Sequence, residues 1–119
     1  MKKLRFGEDF LKMVISGEKE ITIRKYREDA HKFVKEEIVQ GIFPEGLLIL
    51  LRILENTRLT KLSGLSKDEL TADGFENHTV AFRVLRNFYP DLRRTDTLGV
   101  IRFEVLKVEN VPVVIFLDE

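Results

Sequence analysis

The chain has 119 residues, 44% of them apolar and 34% charged, with 20 basic side chains against 20 acidic ones. That length suits one domain with one core, and the charge balance leaves no net field to draw the molecule onto nucleic acid or an anionic membrane, so such binding would need a local basic patch. The absence of cysteine excludes disulfides, thiol nucleophiles and Cys-ligated metals, and the two histidines, His31 and His78, leave little for a His-rich metal site.

The N-terminus MKKLRFGEDF carries no apolar run behind its lysines and does not read as a signal peptide. Phe10, Leu11, Val14 and Ile15 recur at helical spacing, predicting a helix over about Glu8–Ile15 that Gly17 stops. Glu20–Lys25 then alternates, Ile21 and Ile23 on one face and Glu20, Thr22 and Arg24 on the other, as in a half-buried strand. Ala30, Phe33, Val34 and Ile38 predict a second helix over about Arg27–Val39, ending before Gly41, with a turn at Pro44–Gly46. Leu47–Glu55 reads as a strand covered on both faces, with Arg58–Leu62 pairing against it as a shorter strand. Its apolar stretch Leu47–Leu51 is the longest in the chain and far too short to cross a bilayer.

Ser66 followed by Glu69 is a capping-box pattern opening a short helix. After an Asp73–Gly74 turn, Glu76–Phe88 is amphipathic, with Val80, Ala81, Val84, Leu85 and Phe88 inward and Tyr89–Pro90 as the close. Leu98–Lys107 and Val111–Leu117 are β-rich, and Pro112 assigns the last strand to an edge. There is no repeat, low-complexity tract or linker, so the expectation is a single cytoplasmic domain over residues 1–119. Its expected fold is α+β: a small, mostly antiparallel sheet that curls into a β-barrel, with flanking α-helices outside.

Chemistry concentrates in Gly17–Arg24, GEKEITIR. Thr22 and Arg24 share a strand face, and Lys19 sits at the turn feeding it, so a hydroxyl, an ammonium and a guanidinium converge. A threonine attacks only once a base takes its proton, and a partly desolvated lysine has its pKa lowered toward that role. The arginine suits a phosphate or an oxyanion. Spacing alone favours a solvent-facing strand edge with ordinary charges over a site. Arg24, Lys25 and Arg27 form a short basic run, Arg83 and Arg86 share a helix face, and Arg93–Arg94 follow. Around a cleft they could hold RNA phosphates; singly each reads as a solvated face. Phe6, Phe10, Phe33, Phe82 and Phe103 read as core, Tyr26 and Tyr89 as better stacking candidates, and His31 and His78 as surface positions.

Gly17-x-Lys19-x-x-Thr22-x-Arg24 directly after an apolar helix resembles the signature of the ASCH family, small PUA-like β-barrel domains. The order of elements continues the resemblance: FPEGLLILLRI, a short helix leading to DGFEN, an amphipathic helix ending in Tyr89–Pro90, and LGVIRFEVL. The resemblance implies binding of RNA or a modified nucleoside, in a cleft formed by Lys19, Thr22, Arg24, Lys25 and the Asp73–Glu76 turn. It implies no cofactor, no metal and no membrane partner. Some small relatives are amidohydrolases that deacetylate 4-acetylcytidine with a lysine, a threonine and a glutamate. These map onto Lys19, Thr22 and either Asp73 or Glu76, with Glu76 preferred because Glu76–Asn77 matches that group's pattern. One departure stands out: Glu20 replaces the family's common threonine and would pair with Lys19 or Arg24, favouring the charged ammonium and weakening it as a base. The segment Arg27–Gln40 is also a longer excursion than the smallest relatives carry. A protein-interaction domain with an incidental polar cluster is the alternative of another class.

Overall fold

The structure is a computed structural model and describes residues 1–7, 10–44 and 46–109. In chain order the elements are β1 (Lys3–Arg5), α1 (Leu11–Ser16), β2 (Ile21–Lys25), α2 (Glu28–His31), β3 (Ile38–Ile42), β4 (Leu48–Ile53), β5 (Arg58–Thr60), a 3-10 turn at Leu62–Gly64, α3 (Lys67–Ala72), α4 (His78–Phe88) and β6 (Leu98–Glu109). The strand expected at Val111–Leu117 lies outside the described residues.

Three helix boundaries have a clear local cause. Gly17 ends α1 in the left-handed conformation, at φ 83°, which costs a glycine little. Ser66 and Glu69 close the capping box of α3 reciprocally, as their spacing predicts. Asn77 caps α4, its side-chain oxygen accepting the Val80 N–H at 2.9 Å, and so leaves Glu76 outside the helix.

The helix expected over Arg27–Val39 is confined to Glu28–His31. Glu36 takes φ 74° and donates its N–H to the Ile53 carbonyl at 2.8 Å, which breaks a helical path and starts β3 alongside β4. Gly41 lies inside that strand rather than past a helix end. A Cβ there would stand 3.2 Å from Leu51 and 3.3 Å from the Ile49 carbonyl oxygen, so β4 approaches too closely for a side chain.

The sheet runs β1-β3-β4-β6-β2, with β1 parallel to β3 and the other pairs antiparallel. Leu50 opposes Lys107 and Leu51 opposes Val105, so Leu106 is the extra residue of a bulge that bends β6. β5 pairs with β6 and not with β4, whose two edges are already taken by β3 and β6. The sheet curls into an open half-barrel. It is not the closed barrel expected, because among the described residues no hydrogen-bonded pairing joins its edge strands β1 and β2.

Two apolar clusters fill the molecule. The first gathers Leu4, Phe6, Val14, Phe33, Val39, Ile49, Leu51, Ile101 and Phe103; the second gathers Ile21, Ile23, Leu70, Ala81, Leu85, Leu98 and Val100. β6 serves both, since Leu98 and Val100 point to one cluster and Ile101 and Phe103 to the other.

Candidate functional site

The gap between the two edge strands is a cavity of about 320 Å³. Arg5, Phe6 and Gly7 line it from the β1 side and Thr22, Ile23 and Arg24 from β2, with Phe10, Lys19, Asp73, Phe75, Leu85, Phe88 and Tyr89 closing it. Strand parity explains the chemistry on the β2 wall. Ile21 and Ile23 are buried in the second cluster, which turns Thr22 and Arg24 to the opposite face and into the cavity.

Lys19 is 4% exposed and Asp73 7%, and Lys19 Nζ donates to Asp73 Oδ1 in a buried ion pair. Two backbone bonds set the pair. The Lys19 N–H donates to the Met13 carbonyl at 2.9 Å, fixing the turn after α1, and Asp73 Oδ2 accepts the Ile23 N–H at 3.2 Å, tying the end of α3 to β2. The ammonium also lies 5.1 Å from the Phe10 ring centroid. Burial pushes the Lys19 pKa down to about 7, and the Arg24 guanidinium adds to that descent. The Asp73 carboxylate opposes it by favouring the charged ammonium.

Arg24 Nε donates to Thr22 Oγ1 at 2.9 Å, and its guanidinium lies 5.2 Å from the Phe6 ring centroid. Phe6 is itself braced, stacked on Phe43 at 4.8 Å and edge-on to Phe103 at 5.8 Å. Burial works against the charge on Arg24, while the nearby Tyr89 acts in its favour.

The fold has known counterparts. The ASCH domain from Lactobacillus crispatus superimposes with a TM-score of 0.57 at 16% identity, over 79% of this chain and 68% of that one. A mutant form of ZmASCH from Zymomonas mobilis gives 0.59 at 12% identity, over 92% and 74% of the two chains. The fold is that of an ASCH domain. The hypothetical protein PH0355 shares it with a TM-score of 0.66 at 20% identity, over 89% of this chain and 100% of the other. Neither a protein-family model nor a curated protein matches the sequence.

On this ASCH fold, four of the residues singled out from sequence meet at one cavity: Lys19, Thr22, Arg24 and Asp73. Lys25 lies off it, 3.9 Å from Asp96. Glu76 is exposed and does not line the cavity, because the Asn77 cap ends the turn before it can reach inward. Glu20 is exposed too and pairs with neither Lys19 nor Arg24. It meets the sheet through its carbonyl, which accepts the Phe103 N–H at 3.0 Å, and the anion beside Lys19 is Asp73 instead. Among the described residues no three His, Asp or Glu side chains gather as a metal site, and no helix is long and apolar enough to cross a membrane.

The histidines are not surface positions. His31 is buried, its Nδ1 accepting the Arg27 N–H at 3.0 Å, and burial pushes its pKa down to about 4, with Arg24 and Arg27 acting in the same direction. His78 is half-buried, with Nε2 2.9 Å from the Leu65 carbonyl oxygen. Arg86 and Arg94 flank the Phe82 ring at 5.7 and 4.6 Å, and Arg86 also donates to the Pro90 carbonyl.

Sequence reasoning missed Arg5, which sits on a three-residue strand too short to show a period. It placed Phe6, Phe10 and Phe88 in the core; Phe6 is buried there and also borders the cavity, whereas Phe10 is half-buried on the cavity wall and Phe88, 6.5 Å from it, is 56% exposed. The available signal was the recurrence of phenylalanine at Phe6 and Phe10 in RFGEDF, upstream of the ASCH-like octet.

Proposed function

We propose that this chain binds RNA or a modified nucleoside, seating one nucleobase in the cavity between β1 and β2. The observation that carries the reading is the division of the cavity wall. Phe10, Phe88 and Tyr89 offer ring faces and edges for a flat base, while Lys19, Thr22, Arg24 and Asp73 offer donors and acceptors for its polar edge. At about 320 Å³ the cavity is at the small end for ligand sites, which favours a single nucleoside over a longer stretch of chain. The zero net charge agrees, since a domain gripping many phosphates needs a broad basic surface. Isothermal titration calorimetry with the common and modified ribonucleosides, and with short single-stranded RNA, tests this. Saturable binding that is lost on Tyr89→Ala and Arg24→Ala is expected; binding unaffected by both substitutions would place the ligand elsewhere.

A second reading is favoured by the lowered pKa of Lys19 in the same cavity as Thr22. In an amidohydrolase acting on 4-acetylcytidine, neutral Lys19 takes the hydroxyl proton as Thr22 Oγ1 bonds to the acetyl carbon. Arg24 faces the oxyanion, and the C–N bond breaks as the Lys19–Asp73 pair returns a proton to the departing amine. A water deprotonated by Lys19 then attacks the acetyl ester on Thr22, and the ester C–O bond breaks to release acetate and restore the Thr22 hydroxyl. Asp73 fills the acid role that the family resemblance suggested for Glu76. Release of cytidine from 4-acetylcytidine, abolished by Lys19→Ala and unchanged by Glu76→Gln, is the expected result. No release removes this reading and leaves the binding one.

A further inference from the structure

Among the described residues, the charges lining the cavity do not cancel. Of the described residues lining it, Arg5, Lys19 and Arg24 are cations and Asp73 is the one anion. Lys19 already uses that anion, in an ion pair buried on both sides. The Arg24 side chain has five N–H donors, and its one hydrogen bond to a described residue goes from Nε to the Thr22 oxygen. The rest of its contact is with the Phe6 ring, and it makes no ion pair with any described carboxylate. Arg5, exposed at the rim, makes neither an ion pair nor a hydrogen bond through its side chain to any described residue.

A partly buried guanidinium facing an aromatic ring, with no carboxylate among the described residues to answer it, is costly in an empty site. A neutral nucleoside would leave that cost in place, whereas a phosphate answers it with a bidentate, charge-assisted contact. We infer that the ligand enters this cavity as an anion: a nucleobase-bearing phosphate monoester, held by Arg24 and Arg5 through its phosphate while the base lies among Phe10, Phe88 and Tyr89. The inference rests on the nucleoside-binding reading and narrows it. Two sources carry this chemistry, a free nucleoside monophosphate and the phosphorylated end of an RNA strand.

Calorimetry would compare each ribonucleoside with its 5′-monophosphate, and a short single-stranded RNA with and without a 5′-phosphate. For the base that binds, the monophosphate should bind at least about tenfold more tightly than the nucleoside, the worth of one charge-assisted contact. That gap should shrink as salt is raised from about 50 to about 500 mM and should collapse in Arg24→Gln. Should Arg24→Gln fail to fold, Arg5→Ala changes an exposed side chain and is expected to narrow the same gap several-fold. Tighter binding of the phosphorylated RNA than of the mononucleotide assigns the strand end as the ligand, and the reverse order assigns the free nucleotide. Equal affinity for nucleoside and monophosphate, or a gap untouched by both substitutions, overturns the inference and leaves the nucleoside reading intact. No binding of any nucleoside, nucleotide or RNA overturns both.

Discussion

At Lys19 a full charge sits with 4% of the residue exposed, and the whole cost of that placement is set against one carboxylate, Asp73. Breaking a buried pair from one side leaves the other charge stranded, so Asp73→Ala should lower the unfolding free energy by about 3 kcal/mol near pH 6. The loss should depend on pH in a defined direction. The folded pKa of Lys19, about 7, lies below its ordinary 10.5. Across that window the unfolded chain holds a proton the folded chain has released, so the lysine's contribution to stability rises with pH and its penalty is full below pH 7. In Asp73→Ala the folded pKa falls further, yet by pH 9 the folded lysine is neutral in both proteins, and the gap between them should close. Urea unfolding at pH 6 and pH 9 measures it, and a gap of equal size at both would mean that Lys19 is not the group left stranded. This contact was half legible. Strand parity put Thr22 and Arg24 on one face and brought Lys19 beside them, because a period of two survives in any sheet. Which of Asp73 and Glu76 would meet Lys19 was not legible, since it depends on where the turn between α3 and α4 ends, and a cap moves that boundary by a residue or two.

The segment between β2 and β4 carries the largest difference between pattern and fold. Ala30, Phe33, Val34 and Ile38 satisfy a helical period, but only Phe33 among them is buried; Val34 is exposed, and the chain buries Val39, Gly41 and Phe43 on alternate residues of β3 and just beyond it. The reason lies in pairing that a helical period does not register: β3 forms a hairpin with the neighbouring β4 on one edge and is held by β1, far away in sequence, on the other. The capping box of α3 was legible for the opposite reason, since Ser66 and Glu69 satisfy each other within one turn. Glu36 gives the difference a test. In a helix, Glu36→Gly would cost about 1 kcal/mol. At φ 74° it relieves a left-handed conformation worth about 1–2 kcal/mol, partly offset by the added freedom of the unfolded chain, so a net gain of about 0.5 kcal/mol is expected. The ion pair it removes, to Arg52 at 3.8 Å, joins two exposed groups and contributes little. Thermal unfolding decides the sign, and a clear loss of stability would argue against the turn.

Over the whole molecule, an α+β chain with a mostly antiparallel sheet could be read from the order of periodic segments, whereas closure could not. Whether a curled sheet seals depends on its two edge strands meeting, and here the edges are held apart by Phe6, Thr22, Arg24 and the residues facing them, so the cavity takes the place of a seam. The cavity touches both apolar clusters, through Phe6 and Phe10 on one side and Leu85 and Tyr89 on the other, and β6 is the backbone they share. A strand with one face in each cluster cannot leave one without exposing the other, so the two should unfold as a unit. Ile49→Val opens a small void in the first cluster and Ile21→Val one in the second, each at a fully buried position and each costing about 1 kcal/mol. Far-UV circular dichroism, together with amide exchange at Val39 for the first cluster and Ala81 for the second, should report one transition that either substitution shifts as a whole. The double variant should show close to the sum of the two costs, because the two sites lie in different apolar clusters. If Ile21→Val lowered protection at Ala81 and left Val39 untouched, the clusters would be separate folding units, and the cavity between them would be free to open without unfolding either.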